Sequence, residues 1–220
     1  MTDYLAWQTA IVREYTHDDQ FITHNFDFEW RGYSYGVQPD VDHFAAAKPL
    51  DVVGIDVYHP SQRQLTVAEI SFAGDIARSI KQQNYLVLET QAQAFKTWTP
   101  YPGQLFQLAF SHIASGANMV EYWHWHSIHN SFETYWKGLL SHDFQPNPVY
   151  NEAKKVGAAF KKLSADLISL KHTAKVAFVV DNASLGYAVY GAVDQALNVD
   201  VLPNKEEAGK DLGIDLLGNP

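Results

Sequence analysis

The chain alternates short apolar segments with amphipathic ones, and this alternation constrains the fold more than any other feature of the sequence. Apolar, β-rich segments at 21–26, 51–59, 85–88 and 118–125 predict four strands. Apolar side chains at three- and four-residue spacing predict helices at 3–16, 40–48, 67–82, 103–114 and 151–170. The strands recur roughly every thirty residues, which is typical of βα units in a parallel sheet covered by helices.

The ends of the predicted strands carry the polar and aromatic residues. In (β/α)8 barrels the working side chains lie at these ends, whereas a doubly wound sheet places them at a switch point. No glycine-rich phosphate loop follows any strand, which weakens the nucleotide-binding form of the doubly wound alternative. The residues at the strand ends are His24 and Asn25, Asp56 to Tyr58, Glu89 to Gln91, and Trp123 to His126.

Glu89 is the strongest candidate for a catalytic residue. It directly follows the apolar run Tyr85–Leu88, and a carboxylate at the end of a buried strand is costly unless it is paired or used. The alternative is a glutamate that forms a salt bridge at the surface. Glycoside hydrolysis uses two carboxylates, and the candidates for a second one are Glu121 and Glu133.

Composition excludes several classes of function. A net charge of -9 without a run of Lys or Arg argues against nucleic-acid binding. Six Trp and twelve Tyr suit the apolar faces of sugar rings, although many of them will fill the core. The absence of Cys excludes disulfides and thiolate catalysis, and it is compatible with a reducing cytosol. With no signal peptide or membrane span in view, we expect a cytoplasmic protein that does not contact membranes.

His124 and His126 share one face of a predicted strand, which raises the question of a metal. No carboxylate stands at a supporting spacing, and catalytic zinc sites generally need three protein ligands. We therefore predict neither a metal nor a cofactor, and we expect imidazole and aromatic walls around a polar ligand.

Several segments together resemble the second half of the catalytic barrel of glycoside hydrolase family 42 β-galactosidases. These are Thr23–Phe26, Asp51–Tyr58, Leu86–Gln91, Trp98 and Glu121–Leu140. The resemblance covers roughly residues 1–185 and implies the fifth to eighth strands of a (β/α)8 barrel. It implies that Glu89 is the nucleophile of a retaining enzyme that hydrolyses terminal β-D-galactosides, and that the bound partner is a β-galactoside or galactose. The substrate-binding residues it implies are Asn25, Tyr58, Trp98, Trp123, Glu133 and Trp136.

Two departures from the family pattern bear on activity. The acid/base glutamate of the family belongs to an Asn-Glu pair at the end of strand four, which would lie before residue 1. Asn151-Glu152 has the same two residues but lies at the start of the last predicted helix, which is the wrong place. The family often has Glu-x-x-His where this chain has Glu133 to Trp136, which puts the Trp136 contact in question. We therefore expect a fragment that is inactive alone. The alternatives are a non-catalytic carbohydrate-binding remnant and another barrel enzyme, such as an aldolase or a metal-dependent hydrolase. An aldolase would need a Schiff-base lysine at a strand end, and Lys96, the one lysine near such an end, is a poor candidate because it lies in a loop.

The end of the chain differs in character from the rest. The segment Lys175–Val180 reads as a buried strand, and the residues after it have weak periodicity. We divide the chain into a partial glycosidase domain at 1–172 and the truncated start of an α/β, trimerisation-type domain at 173–220. Half a barrel exposes unpaired sheet edges, so we expect a homo-oligomer, trimeric in the intact family, or pairing with an N-terminal half.

Overall fold

The computed structural model describes residues 1–28, 41–58, 67–93, 99–168, 170, 171, 173, 175–177 and 179. Within these residues the chain forms five helices and four strands in the alternating order that the sequence predicts. In chain order they are α1 (Thr2–Arg13), β1 (Asn25–Asp27), α2 (His43–Ala46), β2 (Gly54–Asp56), α3 (Ala68–Lys81), β3 (Tyr85–Gln91), α4 (Gln104–Ala114), β4 (Ala117–Trp123) and α5 (Pro148–Leu167).

The four strands form one parallel sheet in the order β1-β2-β3-β4. Because neighbouring strands run in the same direction, each connection must cross over, and α3 and α4 make two of these crossovers. The predicted parallel βα arrangement is therefore confirmed. The carboxyl ends of all four strands lie at the same edge of the sheet.

The core lies between the sheet and the helices. Ile55 and Val87 of adjacent strands are fully buried, and they share one cluster with Ala73 and Ala77 of α3. Small residues on α3 let the helix approach the strands closely. Gly74 shows this directly, since a Cβ at its position would lie 2.5 Å from the hydroxyl oxygen of Tyr85.

The strand predicted at Lys175–Val180 is not formed at the residues that the structure describes there. Residues 175–177 and 179 have no strand conformation, and Val176 and Val179 are 73% and 92% exposed. An apolar run becomes a strand only where a neighbouring strand satisfies its backbone groups, and the sheet described here ends at β4. The rest of the segment 173–220 lies outside the described residues, so the second domain stays a prediction.

None of the helices in the described part of the chain is both long and apolar enough to cross a membrane.

Candidate active site

The residues predicted at the strand ends converge at the carboxyl edge of the sheet. Asn25 lies on β1, Tyr58 follows β2 by two residues, and Glu89 lies on β3. Trp123 ends β4, where it is paired with Gln91 in the register of the two strands. The edge thus brings together side chains that are far apart in the sequence, as parallel sheets do.

An irregularity in β3 sets which side chains face each other. Ile55 is paired with Val87 and Asp56 with Glu89. β3 therefore advances by two residues where β2 advances by one, and Leu88 is the extra residue. The pairing with β4 shifts over the same stretch, between Val87 and Thr90. The extra residue places Glu89 directly beside Asp56, and bulges of this kind commonly re-aim a side chain next to an active site.

Glu89 accepts hydrogen bonds at both of its carboxylate oxygens. The hydroxyl of Tyr58 donates to Oε2 at 2.7 Å, and Nδ2 of Asn25 donates to Oε1 at 3.3 Å. Burial raises the pKa of Glu89, the hydrogen bond from Tyr58 lowers it, and the negative charges of Glu133 and Asp27 raise it. The carboxylate is thus half-buried and held in a fixed orientation by two donors.

Tyr58 is a donor in this arrangement and not a base. It is only 6% exposed, and its burial together with the bond to Glu89 raises its pKa well above the usual range. The phenol therefore keeps its proton at any ordinary pH. Its hydroxyl can stabilise negative charge on Glu89 but cannot accept a proton from a substrate.

Asp56 is a functional candidate that the sequence placed at a strand end without assigning it a role. It is 7% exposed, and its Oδ2 accepts a hydrogen bond from Nδ2 of Asn25 at 2.8 Å. Burial and the neighbouring charge of Glu89 raise the pKa of Asp56 to about 7, which the bond from Asn25 only partly opposes. Only the pairing of β2 with β3 shows that Asp56 lies beside Glu89, and this pairing cannot be read from the local pattern of residues.

The loop after β4 brings Glu133 toward the same edge. Its charge raises the pKa of both Glu89 and Tyr58, which places it within electrostatic reach of them. The loop is fixed by Ser127, whose hydroxyl donates to the carbonyl of Leu140 at 3.1 Å and accepts from the amide of Gly138 at 3.1 Å. Glu133 thus acts on the pocket through its charge, and its binding to a sugar hydroxyl stays a prediction.

Two of the three predicted tryptophans, Trp123 and Trp136, lie within the described residues. Trp123 is 38% exposed, with its ring 5.4 Å from that of His124, and the Trp123–His124 peptide bond is cis. Trp136 is half-buried and packs against Tyr135 with ring centres 4.7 Å apart. Trp98 and Lys96 lie outside the described residues.

Two other acidic residues have positions that separate them from this constellation. Glu121 is exposed on β4. Glu152 accepts a hydrogen bond from the backbone amide of Phe106 at 3.1 Å, so it caps the first turn of α4 from the neighbouring helix. That contact gives the Asn151-Glu152 pair a structural role at the start of α5.

Across the described ranges, no three His, Asp or Glu side chains form a group that could hold a metal ion. The imidazole of His124 is partly buried, which lowers its pKa, while the charge of Glu133 acts in the opposite direction. In the described site, the chemistry that the side chains can perform is that of a carboxylate oriented by neutral donors, beside a second carboxyl group.

A family model described as "Beta-galactosidase", that of glycoside hydrolase family 42, matches residues 1–163. The chain belongs to this family. The match covers all four strands and most of the last helix, including every residue of the constellation around Glu89.

Similar proteins carry the same name. A β-galactosidase from Arthrobacter is 26% identical over 169 residues, which are 74% of this chain and 23% of that protein. The β-galactosidase BgaA from Clostridium cellulovorans is 27% identical over 188 residues, which are 81% of this chain and 27% of that protein. The chain therefore spans about a quarter of the length of these relatives.

Solved structures agree with the fold. A catalytic mutant of a family 42 β-galactosidase from G. stearothermophilus matches 79% of this chain with a TM-score of 0.70 and 26% identity, over 26% of its own length. The cold-adapted β-galactosidase from Rahnella sp. R3 covers 94% of this chain and 31% of its own with a TM-score of 0.73, and its 22% identity speaks for the fold alone. The parallel sheet and its helices correspond to part of the (β/α)8 barrel of these glycosidases.

Proposed function

We propose that this chain carries the nucleophile side of the active site of a retaining β-galactosidase, with Glu89 as the nucleophile. The observation that supports this most is the pair of hydrogen bonds on Glu89, which aim a half-buried carboxylate from the carboxyl edge of the sheet. Retaining glycosidases need such a carboxylate to attack the sugar. The family membership supplies the substrate class.

In the reaction, an oxygen of Glu89 forms a bond to the anomeric carbon of galactose while the bond to the leaving oxygen breaks. The acid/base glutamate of the intact enzyme protonates the leaving oxygen and later takes a proton from water. The product is a galactosyl ester, which water then hydrolyses with release of Glu89 as a carboxylate. Tyr58 holds the carboxylate in the attacking position and stabilises its charge when the ester is cleaved. Glu133 binds galactose hydroxyls, with Asn25, Trp98, Trp123 and Trp136 forming other parts of the pocket.

The acid/base glutamate has no counterpart in this chain under the same proposal. The family resemblance places it on the strand that precedes the four seen here, so that β1 to β4 correspond to strands five to eight. Because removing one of two cooperating groups lowers the rate by orders of magnitude, this chain alone is expected to hydrolyse galactosides slowly or not at all.

The proposal also covers the second domain, the association of the chain and its location. Residues 173–220 are the start of a second domain of the trimerisation type, and the chain associates with copies of itself or with an N-terminal half. A cytoplasmic location is part of the same proposal, since a sequence without Cys suits a reducing compartment.

A fluorosugar with an activated leaving group tests the role of Glu89 without the acid. We expect the 220-residue chain to gain one fluorogalactosyl group from 2,4-dinitrophenyl 2-deoxy-2-fluoro-β-galactoside, seen by intact mass and mapped to the peptide of β3. Glu89→Gln should abolish the label, whereas Glu14→Gln, at an exposed position at the end of α1, should leave it unchanged.

Three outcomes would count against the proposal. Labelling elsewhere would reject Glu89 as the nucleophile, and galactose binding by calorimetry without labelling would favour a carbohydrate-binding remnant. Turnover of a nitrophenyl galactoside that Glu89→Gln abolishes would contradict the expected inactivity of the chain, while supporting Glu89 itself.

A further inference from the structure

Resting on the proposed nucleophile, we infer that Asp56 is a positioning residue that orients Glu89 through the side-chain amide of Asn25. The geometry behind this is a hydrogen-bonded row across three strands. Nδ2 of Asn25 donates to Asp56 at 2.8 Å and to Glu89 at 3.3 Å. The amide nitrogen has two hydrogens, so it can donate one to Oδ2 of Asp56 and the other to Oε1 of Glu89.

The orientation of the Asn25 amide follows from its two neighbours. Both are carboxyl groups, so turning the amide over would put its oxygen against two acceptors, and the nitrogen must face them. Glu89 alone would hold the amide by one bond at 3.3 Å, which is long for a hydrogen bond. The shorter bond to Asp56 fixes the amide, and through it the Oε1 side of Glu89.

The strand register explains why Asp56 can act in this way. The extra residue in β3 sets Asp56 beside Glu89, and the regular pairing of β1 with β2 sets Asp27 beside Asp56. In addition, Oδ1 of Asp56 is buried and has no hydrogen-bond partner among the described residues. A buried carboxyl oxygen without a donor favours the protonated form of the group.

The charges around Asp56 come from every neighbouring element. Asp27 faces it from β1, Glu89 from β3, and Tyr58 from the end of β2, while Glu133 acts on Glu89 and Tyr58 from the loop after β4. The burial and Glu89 together raise the pKa of Asp56 to about 7. Below that pH, a neutral Asp56 adds no second negative charge beside Glu89, whose carboxylate form is the one that attacks a sugar.

A pH titration observed at the side-chain amide of Asn25 tests the coupling between Asp56 and Glu89 directly. We would follow the side-chain Nδ2 resonance of Asn25 in the full chain by NMR from pH 4 to 9, with Glu carboxyl carbons labelled so that Glu89 is observed too. Wild type should show a step near pH 7 at both sites. Asp56→Asn, which keeps an acceptor for Asn25, should remove that step, and Glu89→Gln should move it to lower pH because a negative neighbour is lost.

Asp27→Asn is the matched control. It removes a neighbouring charge on β1 and leaves the bond between Asp56 and Asn25 in place, so the step should persist at slightly lower pH. A step that persists in Asp56→Asn, or that Glu89→Gln leaves in place, would overturn the inference. Amide dispersion in the same spectra shows whether each variant is folded.

The rate of fluorosugar labelling separates positioning from simple structural support. We expect Asp56→Ala to label at least about tenfold more slowly than wild type at pH 6, and Asp56→Asn to restore most of the rate because its side-chain oxygen still accepts from Asn25. Equal rates in both variants and wild type would reject the positioning role. If wild type titrates as expected but is not labelled, the nucleophile assignment fails while the coupling of Asp56 to Glu89 stands.

Discussion

At the scale of single residues, the site shows how burial and hydrogen bonding act in opposite directions on neighbouring carboxyl groups. Glu89 and Asp56 both have a raised pKa from burial, but Glu89 receives two donors, whereas Asp56 receives only Asn25 among the described hydrogen bonds. The hydrogen bond from Tyr58 opposes the rise in the pKa of Glu89, whereas the charge of Glu89 adds to the rise in the pKa of Asp56. Two carboxyl groups side by side thus have different electrostatic environments.

This arrangement predicts a pH-dependent cost in stability at Asp56. Its pKa is 3.8 in the ordinary state and about 7 in the folded chain, so the folded chain binds a proton that the unfolded chain has already released between those values. Stability from this group is full below about pH 4 and is lost as pH rises through about 7. Asp56→Asn should thus be more stable than wild type by roughly 2 to 4 kcal/mol at pH 8, and by little at pH 4.

Urea unfolding at the two pH values measures this difference. Asp51→Asn serves as a control of opposite sign, because the hydrogen bond from Arg13 lowers the pKa of Asp51, followed by one from the backbone of Ile22. Its loss should destabilise the chain at neutral pH and matter less near pH 3. An Asp56→Asn variant with the same gain at both pH values would contradict the raised pKa.

At the scale of elements, the strands and helices follow from periodicity, but their ends do not. The first strand was predicted at 21–26 and forms at Asn25–Asp27, while the third was predicted to end at Leu88 and continues to Gln91. β3 continues because β4 lies beside it and pairs with Thr90 and Gln91. Hydrogen bonding to a neighbour, which no local pattern contains, sets where a strand stops.

Gly54 of the neighbouring strand packs closely against the irregular stretch of β3. A Cβ at Gly54 would collide with the side chain of Leu88 and lie 2.9 Å from the carbonyl oxygen of His24. Leu88 is the residue just before Glu89, inside the irregular stretch. Gly54 is therefore the position where the local shape of β3 is most sensitive to added volume.

Gly54→Ala should destabilise the chain by about 1 to 3 kcal/mol and slow the labelling of Glu89, because relief of the clash moves β3. Gly157→Ala is the matched control, since nothing lies within 4 Å of the added Cβ in the middle of α5. It should stabilise the chain by about 0.5 to 1 kcal/mol. Denaturant midpoints report both changes, and an unaffected Gly54→Ala would show that Leu88 yields without moving the strand.

At the scale of the whole molecule, the described part of the chain presents apolar surface on its first helix. Helix α1 exposes apolar side chains along one helical stripe. The members are Tyr4, Trp7 and Ile11, with exposures of 54%, 58% and 40%. Residues spaced by three and four on a helix face the same way, and such a stripe is typical of a contact surface.

We therefore predict that the chain self-associates in a concentration-dependent way, as seen by sedimentation velocity. Replacing Trp7 and Ile11 together by Gln should weaken association by at least about tenfold, because apolar area is lost from the contact. Phe132→Gln is the control, since Phe132 is 81% exposed in the loop after β4 and lies off the stripe. A stable monomer at all concentrations would argue against association through α1.

The sequence by itself determined the order and type of the elements, the parallel sheet and the place of Glu89 toward the carboxyl end of the third strand. These follow from local rules, since side-chain periodicity and strand-ending polar residues are written within a few positions of one another. The tertiary structure decided that Asp56 stands beside Glu89 and that Tyr58 and Asn25 donate to it. It also decided that Lys175–Val180 forms no strand at its described residues. Both depend on which strands lie side by side and in what register, and that is fixed by contacts between residues far apart in the chain.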